Sequence, residues 1–149
     1  MTSSATQPVL TIADGNAERS RVMTLLEAQG LPVTDISENT ELYSFWEGEK
    51  MIGTAGLDIF PGCTLLRSIS VLAELKGKGY GKKLNERIEV IAREKGIDAL
   101  YLITHTAKDF FARQGYEVID RVTAPEPIQQ TDQFVSLCPS TAVVMKKQL

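Results

Sequence analysis

The chain has 149 residues, which suits a single domain, and its 43% hydrophobic and 23% charged residues are typical of a globular protein. The formal net charge of −3 at pH 7 argues against a general nucleic-acid-binding protein, because phosphate contacts need a basic face. Two cysteines and one histidine cannot supply a Cys/His zinc cluster, and no apolar run approaches the ~20 residues that a membrane-spanning helix needs.

The N-terminal half is predicted to contain a short strand, a helix and an antiparallel meander. Met1–Pro8 has neither the basic start nor the apolar core of a signal peptide, which together with unpaired cysteines predicts a cytoplasmic protein with free thiols. Val9–Ile12 is a β candidate, and the helix Ala17–Gln29 follows it and ends at Gly30. Short turns join the next three strands and imply antiparallel neighbours. Their predicted bounds are Leu42–Trp46, Lys50–Phe60 and Thr64–Val71.

In the C-terminal half, helices and strands alternate. The predicted helices are Gly79–Lys95 and Ala107–Gln114, and a glycine stops each of them. A long connection, Val122–Pro139, precedes the last strand. This order predicts an α/β fold of the α+β type, one domain over residues 1–149, with a mixed sheet that is antiparallel first and partly parallel later. The predicted strands of this half are Ala99–Thr104, Tyr116–Arg121 and Thr141–Lys146.

A glycine-rich turn joins the third strand of the meander to the helix Gly79–Lys95. Gly77, Gly79 and Gly81 stand at alternate positions, so the backbone there can adopt unusual angles and approach a ligand closely. The first turn of the helix adds free N–H groups and the positive end of the helix dipole, which together predict an anion-binding site. The lysines that would add charge for a pyrophosphate or a 3′-phosphate are Lys76, Lys78, Lys82 and Lys83.

Two familiar phosphate-binding loops do not match this turn. A P-loop needs four residues between its glycines and then Gly-Lys-Ser/Thr, whereas three residues separate Gly77 from Gly81 and Lys83 follows Lys82. A Rossmann fingerprint needs a glycine or alanine at the position of Lys82. Taken alone, the residues leave a second interpretation open, which is a tight glycine turn beside a solvated lysine cluster.

Two motifs together resemble those of a known family. Lys76–Gly81 resembles the Arg/Gln-x-x-Gly-x-Gly/Ala loop with which the GNAT acetyltransferase superfamily binds acetyl-CoA, except that its first residue is lysine. Ala107–Tyr116 resembles the family's Ala-x-x-Phe-Tyr-x-x-x-Gly-Phe helix, and the element order agrees over nearly the whole chain. The resemblance implies the GNAT fold, with about six to seven strands and about four helices, in an enzyme that transfers an acetyl group from acetyl-CoA to an amine.

The resemblance also implies a set of cofactor-binding residues. The backbone at the end of the strand Thr64–Val71 would pair with the pantetheine arm like an added strand, and the amides of the loop would hold the pyrophosphate. The implied residues are Ile69, Ser70, Val71, Lys76, Gly77, Lys78, Gly79, Tyr80, Gly81, Lys82, Thr104 and Phe111.

The chain departs from the family where a general acid is expected. The family uses a tyrosine of the second motif to protonate the leaving thiolate, and Phe111 stands there with no proton to give. Another donor must then serve, or water or the helix dipole must assist the thiolate. The same departure leaves an alternative function open, a non-catalytic acyl-CoA sensor of the same fold. The candidate donors are Thr104, His105, Thr106, Ser136 and Cys138.

Arg67, Ser68 and Thr104 are the candidate catalytic residues. The planar guanidinium of Arg67 suits a carboxylate or oxyanion substrate, and the alternative is a charge on the solvated sheet face. Strand alternation predicts that Ser68 and Ser70 face away from Arg67.

Two further groups of residues are expected to lie near the acceptor. Ile128 and Phe134 are expected to anchor the long connection over the acceptor site as a lid. The acidic residues Asp35, Glu38 and Glu41 are candidates to receive a cationic amine, and the alternative is that they form a solvated acidic loop.

Four shorter stretches look like a GNAT branch associated with arsenic-resistance operons. That likeness implies N-acetylation of a small amine, amino-acid-like or arsenic-containing. The expected partner is therefore a small-molecule acceptor, with no nucleic acid and no membrane, while a homodimer stays open. The stretches are Leu66–Ser68, Tyr101–Thr104, Phe110–Arg113 and Ser136–Pro139.

Overall fold

The computed structural model contains seven β-strands, four α-helices and two short 3-10 helices in the part of the chain that it describes. The described residues are 11–13, 16–28, 40–75, 77–104, 106–131, 134–135 and 142–149. The strands are β1 (Thr11–Ala13), β2 (Thr40–Glu47), β3 (Lys50–Phe60), β4 (Cys63–Val71), β5 (Ala99–Thr104), β6 (Glu117–Ile119) and β7 (Val143–Gln148). The α-helices are α1 (Asn16–Ala28), α2 (Tyr80–Glu94), α3 (Lys108–Arg113) and α4 (Glu126–Gln129).

The strands form one seven-stranded sheet in the order β1-β2-β3-β4-β5-β7-β6. The tight turns at Gly48 and Gly62, which have φ angles of 63° and 82°, make β2, β3 and β4 an antiparallel meander. The pairing of β4 with β5 is parallel, whereas β7 is antiparallel to both β5 and β6. The predicted mixed sheet, antiparallel first and partly parallel later, is confirmed together with the four helices.

The predicted bounds fail mainly in the C-terminal third. The predicted strand Tyr116–Arg121 is only three residues long as β6, because Tyr116 turns into the core and Arg121 begins a 3-10 turn. The long connection is not without structure, since it holds α4. Within the described residues, the first strand begins at Thr11, and the first two residues of the predicted Val9–Ile12 lie outside them.

The two faces of the sheet are covered by different helices. Helix α2 is amphipathic and buries Leu84, Ile88 and Ala92 against the face that we call the α2 face. The opposite face, called the α4 face below, is covered by α4 and by α1, whose Val22 and Leu26 pack on Leu42. No helix in the described ranges has the length and apolarity required to cross a membrane.

Ile128 of α4 fastens the long connection to the α4 face. Its side chain is fully buried and packs with Cys63, Leu65 and Val144. We expect Ile128→Ala to lower the free energy of unfolding by about 3 kcal/mol, because it removes apolar contacts and leaves a cavity. Urea denaturation measures this loss. Val122→Ala is the control, since Val122 is 84% exposed and its truncation should change stability by less than about 0.5 kcal/mol. Equal effects of the two variants would contradict the anchoring role.

The thiol of Cys63 lies in the same cluster and is protected there. Burial raises the pKa of the Cys63 thiol, so the reactive thiolate is rarer than in a free cysteine at the same pH. In a Cys138→Ser background, which leaves Cys63 as the one cysteine of the chain, we expect slow reaction with a disulfide reagent at pH 8. Guanidinium chloride should release one equivalent at once. Complete reaction of the folded protein within the mixing time would contradict the prediction.

Candidate functional site

Strands β4 and β5 share little backbone pairing in the part of the chain that the structure describes. They pair at one position, Leu65 with Tyr101, and β5 ends at Thr104, whereas β3 follows β4 as far as Val71. We call the side of Ile69–Val71 that faces away from β3 the β4–β5 gap. An extended ligand arm can enter such a gap and bond to the strand as an additional strand would.

A β-bulge lies at the mouth of this gap. Thr54 pairs with Ser70 and Gly56 pairs with Arg67, so that two residues of β4, Ser68 and Ile69, stand opposite one residue of β3. Ser68 has a φ of 56°, the one positive φ found at a non-glycine position within the described ranges. The bulge shifts the alternation of the strand. Ser70 therefore lies on the same face as Arg67, and the predicted opposite orientation is wrong.

Arg67 is buried on the α4 face and paired with Asp58. Its side chain is only 1% exposed, and its Nη1 lies 3.2 Å from the Asp58 carboxylate. Thr40 donates a hydrogen bond to the other oxygen of that carboxylate, and Arg67 Nε lies 3.1 Å from Ser68 Oγ. The alternative of a solvated surface charge is therefore wrong. Because its charge is already matched by Asp58, Arg67 is better suited to support the bulge than to clamp a substrate anion.

The glycine loop opens toward solvent at the N-terminus of α2. Gly77 and Gly79 have φ angles of 82° and 87°, and a Cβ at either position would meet no atom within 4 Å. Gly79 precedes the helix, whose first backbone bond runs from the Lys83 amide to the Gly79 carbonyl at 3.2 Å. The amides of the first turn are consequently left for a ligand. The loop has the geometry of an anion site, and Lys78 and Lys82 are exposed beside it.

Gly81 and α3 meet behind the loop. A Cβ at Gly81 would lie 3.3 Å from Cζ of Phe110, so the phenyl ring packs directly on the first turn of α2. Phe110 also contacts Phe111 edge-on, with the ring centroids 5.0 Å apart. A side chain at position 81 would therefore require a small shift of the Phe110 ring, in contrast to positions 77 and 79, where the positive φ favours glycine.

The turn between β2 and β3 contacts both ends of the loop. The Tyr80 hydroxyl donates to the carboxylate of Glu47 at 2.9 Å, and this hydrogen bond raises the pKa of Tyr80. On the other side, Lys50 Nζ lies 3.2 Å from the carboxylate of Glu74. Both contacts are exposed, so each adds little to stability. Their effect is to hold the glycine loop against the hairpin of β2 and β3.

Thr104 and Phe111 both stabilise the helix α3, Thr104 by a hydrogen bond at its start and Phe111 by packing. Thr104 Oγ1 accepts a hydrogen bond from the Ala107 amide at 3.0 Å, immediately before the helix begins. The Phe111 ring is buried and contacts the Tyr116 ring edge-on at 5.5 Å. Burial, followed by the charge of Glu89, raises the pKa of Tyr116, whose buried hydroxyl has no hydrogen-bond partner among the described residues. Tyr116 thus remains protonated well above neutral pH.

Several predicted site residues are not described or lie elsewhere. Glu41 is held by Lys95 Nζ at 2.8 Å; burial opposes ionisation, yet the hydrogen bonds from Lys95 and Tyr43 lower the pKa of Glu41 overall. Glu41 is therefore bound within the fold, and no group of His, Cys, Asp and Glu side chains that could hold a metal occurs within the described ranges. The predicted residues outside those ranges are Lys76, His105, Asp35, Glu38, Ser136 and Cys138.

Sequence reasoning missed Asp58, Thr40 and Glu47. Asp58 had a detectable signal, because the turn at Pro61-Gly62 fixes the register of the hairpin and places Asp58 diagonally across from Arg67 on one face. Thr40 and Glu47 carried no such signal, since their partners, Asp58 and Tyr80, lie 18 and 33 positions further along the chain.

The comparisons with known proteins agree with this geometry. Residues 15–116 match the family model described as the acetyltransferase (GNAT) family. The chain is 35% identical over 69 residues to N-alpha-acetyltransferase 80 of Mus musculus, a match that covers 46% of this chain and 20% of that protein. It is 35% identical over 63 residues to the uncharacterized N-acetyltransferase CT2212 of Chlorobaculum tepidum, which covers 42% of this chain and 40% of that protein.

The fold of this chain is similar, over nearly the whole length of this chain, to part of a solved structure. N-acetylglutamate synthase from Neisseria gonorrhoeae, in complex with coenzyme A and N-acetyl-glutamate, superposes with a TM-score of 0.78 at 19% identity. The superposition covers 96% of this chain and 36% of that one. At this identity the likeness concerns the fold. The chain spans well under half of each of these three proteins.

Proposed function

This chain belongs to the acetyltransferase (GNAT) family, and from that membership we propose that it transfers the acetyl group of acetyl-CoA to the amine of a small molecule. The observation that supports the proposal is that β4 pairs with β5 at a single position and then leads, after a short 3-10 helix, into the glycine loop before α2. In this arrangement the pyrophosphate lies on the amides that begin α2, and the pantetheine arm follows the backbone of Ile69–Val71. The acetyl carbon then lies near the bulge at Ser68.

The proposed reaction joins the amine nitrogen to the acetyl carbon and breaks the bond between that carbon and sulfur. The amine must lose a proton before or during attack, and the leaving thiolate must gain one. Holding both reactants in one gap can supply about 7–11 kcal/mol of the barrier reduction in well-oriented cases. The proton that the amine loses can reach the thiolate through solvent water, so that the two proton changes cancel. Thr104 is our candidate hydrogen-bond donor to the leaving thiolate, because its hydroxyl accepts a bond from the Ala107 amide and keeps its own proton to donate.

We further propose an amino-acid-like acceptor, with arsenic-containing analogues among the candidates. The structural neighbour N-acetylglutamate synthase, which is bound to an acetylated amino acid, supports the first part. The arsenic link rests on the likeness of four short stretches, of which Leu66–Ser68 forms the bulge. The free thiol of Cys63 supports a cytoplasmic setting for the reaction.

A thiol-release assay tests the proposal. Acetyl-CoA is incubated with a panel of amines that includes amino acids and their phosphinic and arsinic analogues, and free coenzyme A is measured. We expect release that depends on one class of acceptor and on the protein. Because thiol reagents also react with cysteines, the protein without acetyl-CoA is measured in parallel.

The second candidate function is an acyl-CoA sensor, and the observation that favours it is Phe111 at the position of the usual acid. A sensor predicts that calorimetry detects acetyl-CoA binding while no amine of the panel releases coenzyme A. Absence of acetyl-CoA binding would contradict both functions.

A further inference from the structure

Ser68 has a backbone conformation that its side chain does not favour. A φ of 56° lies in the left-handed region, where glycine, asparagine and aspartate are the common residues. Residues in such conformations persist where their surroundings over-determine them, and they cluster at functional sites. Specific neighbouring groups must therefore hold Ser68 in this conformation beside the β4–β5 gap.

Hydrogen bonds from two strands hold Ser68 in place. Thr54 Oγ1 on β3 donates to the Ser68 carbonyl at 2.8 Å, and this bond fixes the peptide plane that follows Ser68. Arg67 Nε lies 3.1 Å from Ser68 Oγ, which fixes the side chain. A bulge that is tied at both its carbonyl and its hydroxyl has little freedom to flatten into a regular strand.

Arg67 is itself oriented by a second layer of partners. Its Nη1 lies 3.2 Å from Asp58 Oδ2, and Thr40 donates to Asp58 Oδ1. Thr40, Asp58 and Arg67 are 2%, 7% and 4% exposed, so this chain of contacts is shielded from water. A buried ion pair is commonly no more stabilising than apolar residues of similar volume. The presence of the ion pair between Arg67 and Asp58 beside the bulge therefore indicates that the pair positions Ser68 more than it stabilises the fold.

We propose that Thr40, Asp58 and Arg67 are positioning residues that keep Ser68 in the left-handed conformation and so keep the bulge open at the β4–β5 gap. The expected effect on kcat rests on the proposed function. The expected effect on the φ angle of Ser68 does not depend on it. In this proposal Arg67 acts through Ser68 and is a positioning residue.

The direct test measures the conformation of Ser68 by nuclear magnetic resonance, from backbone shifts and couplings. We expect a positive φ in the wild-type protein and a shift toward extended values in Asp58→Asn and in Thr40→Val. The control is Thr64→Val, the same change at a buried threonine of β4 that lies outside this set. A positive φ retained in both Asp58→Asn and Thr40→Val would overturn the proposal.

The kinetic test uses glycine, which adopts a positive φ without strain. We expect Thr40→Val and Asp58→Asn to lower kcat about tenfold, while the KM for acetyl-CoA changes less than about twofold. In the Ser68→Gly background the same substitutions should lower kcat less than about threefold, although their effect on Tm is unchanged. Equal losses of kcat in both backgrounds would overturn the positioning role. If no amine is acetylated but φ of Ser68 still responds to Asp58→Asn, the proposed function fails and the positioning network stands.

Discussion

Replacing Gly79 with alanine is expected to weaken acetyl-CoA binding about 10- to 100-fold. Gly79 has a φ of 87°, and an L-residue in the left-handed region costs roughly 1–2 kcal/mol. Since 1.4 kcal/mol corresponds to a factor of ten in affinity, that strain alone accounts for about one order of magnitude if the loop relaxes when unliganded. The added methyl group also projects into the open space before the loop, where we propose that the pyrophosphate lies.

Gly96 supplies a matched control for Gly79→Ala. It has a φ of 80°, a Cβ there would meet no atom within 4 Å, and it follows the opposite end of α2. Gly96→Ala therefore introduces a similar backbone strain away from the proposed ligand. Calorimetric titration with acetyl-CoA should find wild-type affinity for Gly96→Ala and a large loss for Gly79→Ala. Equal affinities of the two variants would show that the loop is assigned wrongly.

Gly53→Ala is expected to destabilise the fold by about 3 kcal/mol or more. A Cβ at Gly53 would lie 2.5 Å from Cδ1 of Leu84 and 2.6 Å from the backbone oxygen of Ser70. The leucine side chain can rotate, but the Ser70 oxygen belongs to β4 and moves only with the strand. Overpacking of this kind typically costs 1–3 kcal/mol, and a backbone clash belongs at the upper end of that range. Urea denaturation, read as the free energy of unfolding, measures the loss.

Gly56→Ala on the same strand is the control for Gly53→Ala. Its added methyl group would meet Leu42 Cδ2 at 3.1 Å and Arg67 Cγ at 3.4 Å, which are side-chain atoms that can shift by a few tenths of an ångström. We expect it to cost less than about 1 kcal/mol. A Gly53→Ala protein as stable as Gly56→Ala would mean that β3 and β4 adjust more freely at this point than their pairing implies.

Local signals predicted the meander and the loop. Gly48 and Gly62 stand at tight turns with positive φ, and the alternate glycines before α2 mark a loop that Gly77 and Gly79 form in the structure. In each case a glycine fixes the backbone within a few residues of itself. The elements next to such positions were therefore predicted nearly to the residue, and so was the antiparallel pairing of β2, β3 and β4.

The features that escaped prediction depend on distant partners. Strand alternation placed Ser70 opposite to Arg67, and the bulge at Ser68 reversed this because β3 supplies the hydrogen bond that holds it. The insertion of β7 between β5 and β6 is likewise set by packing rather than by local pattern. The catalytic roles of Arg67, Ser68 and Thr104, and the cofactor contacts, stay predictions.

The contact between Phe110 and Gly81 constrains how this chain can diverge. The family loop accepts glycine or alanine at its last position, and here a methyl group would lie 3.3 Å from the Phe110 ring, which would have to shift by a few tenths of an ångström. Positions 81 and 110 should therefore covary, so that relatives with alanine at the first carry a smaller side chain at the second. In this protein, Phe110→Leu should make Gly81→Ala tolerable, as a compensating pair separated by 28 intervening positions of the printed sequence.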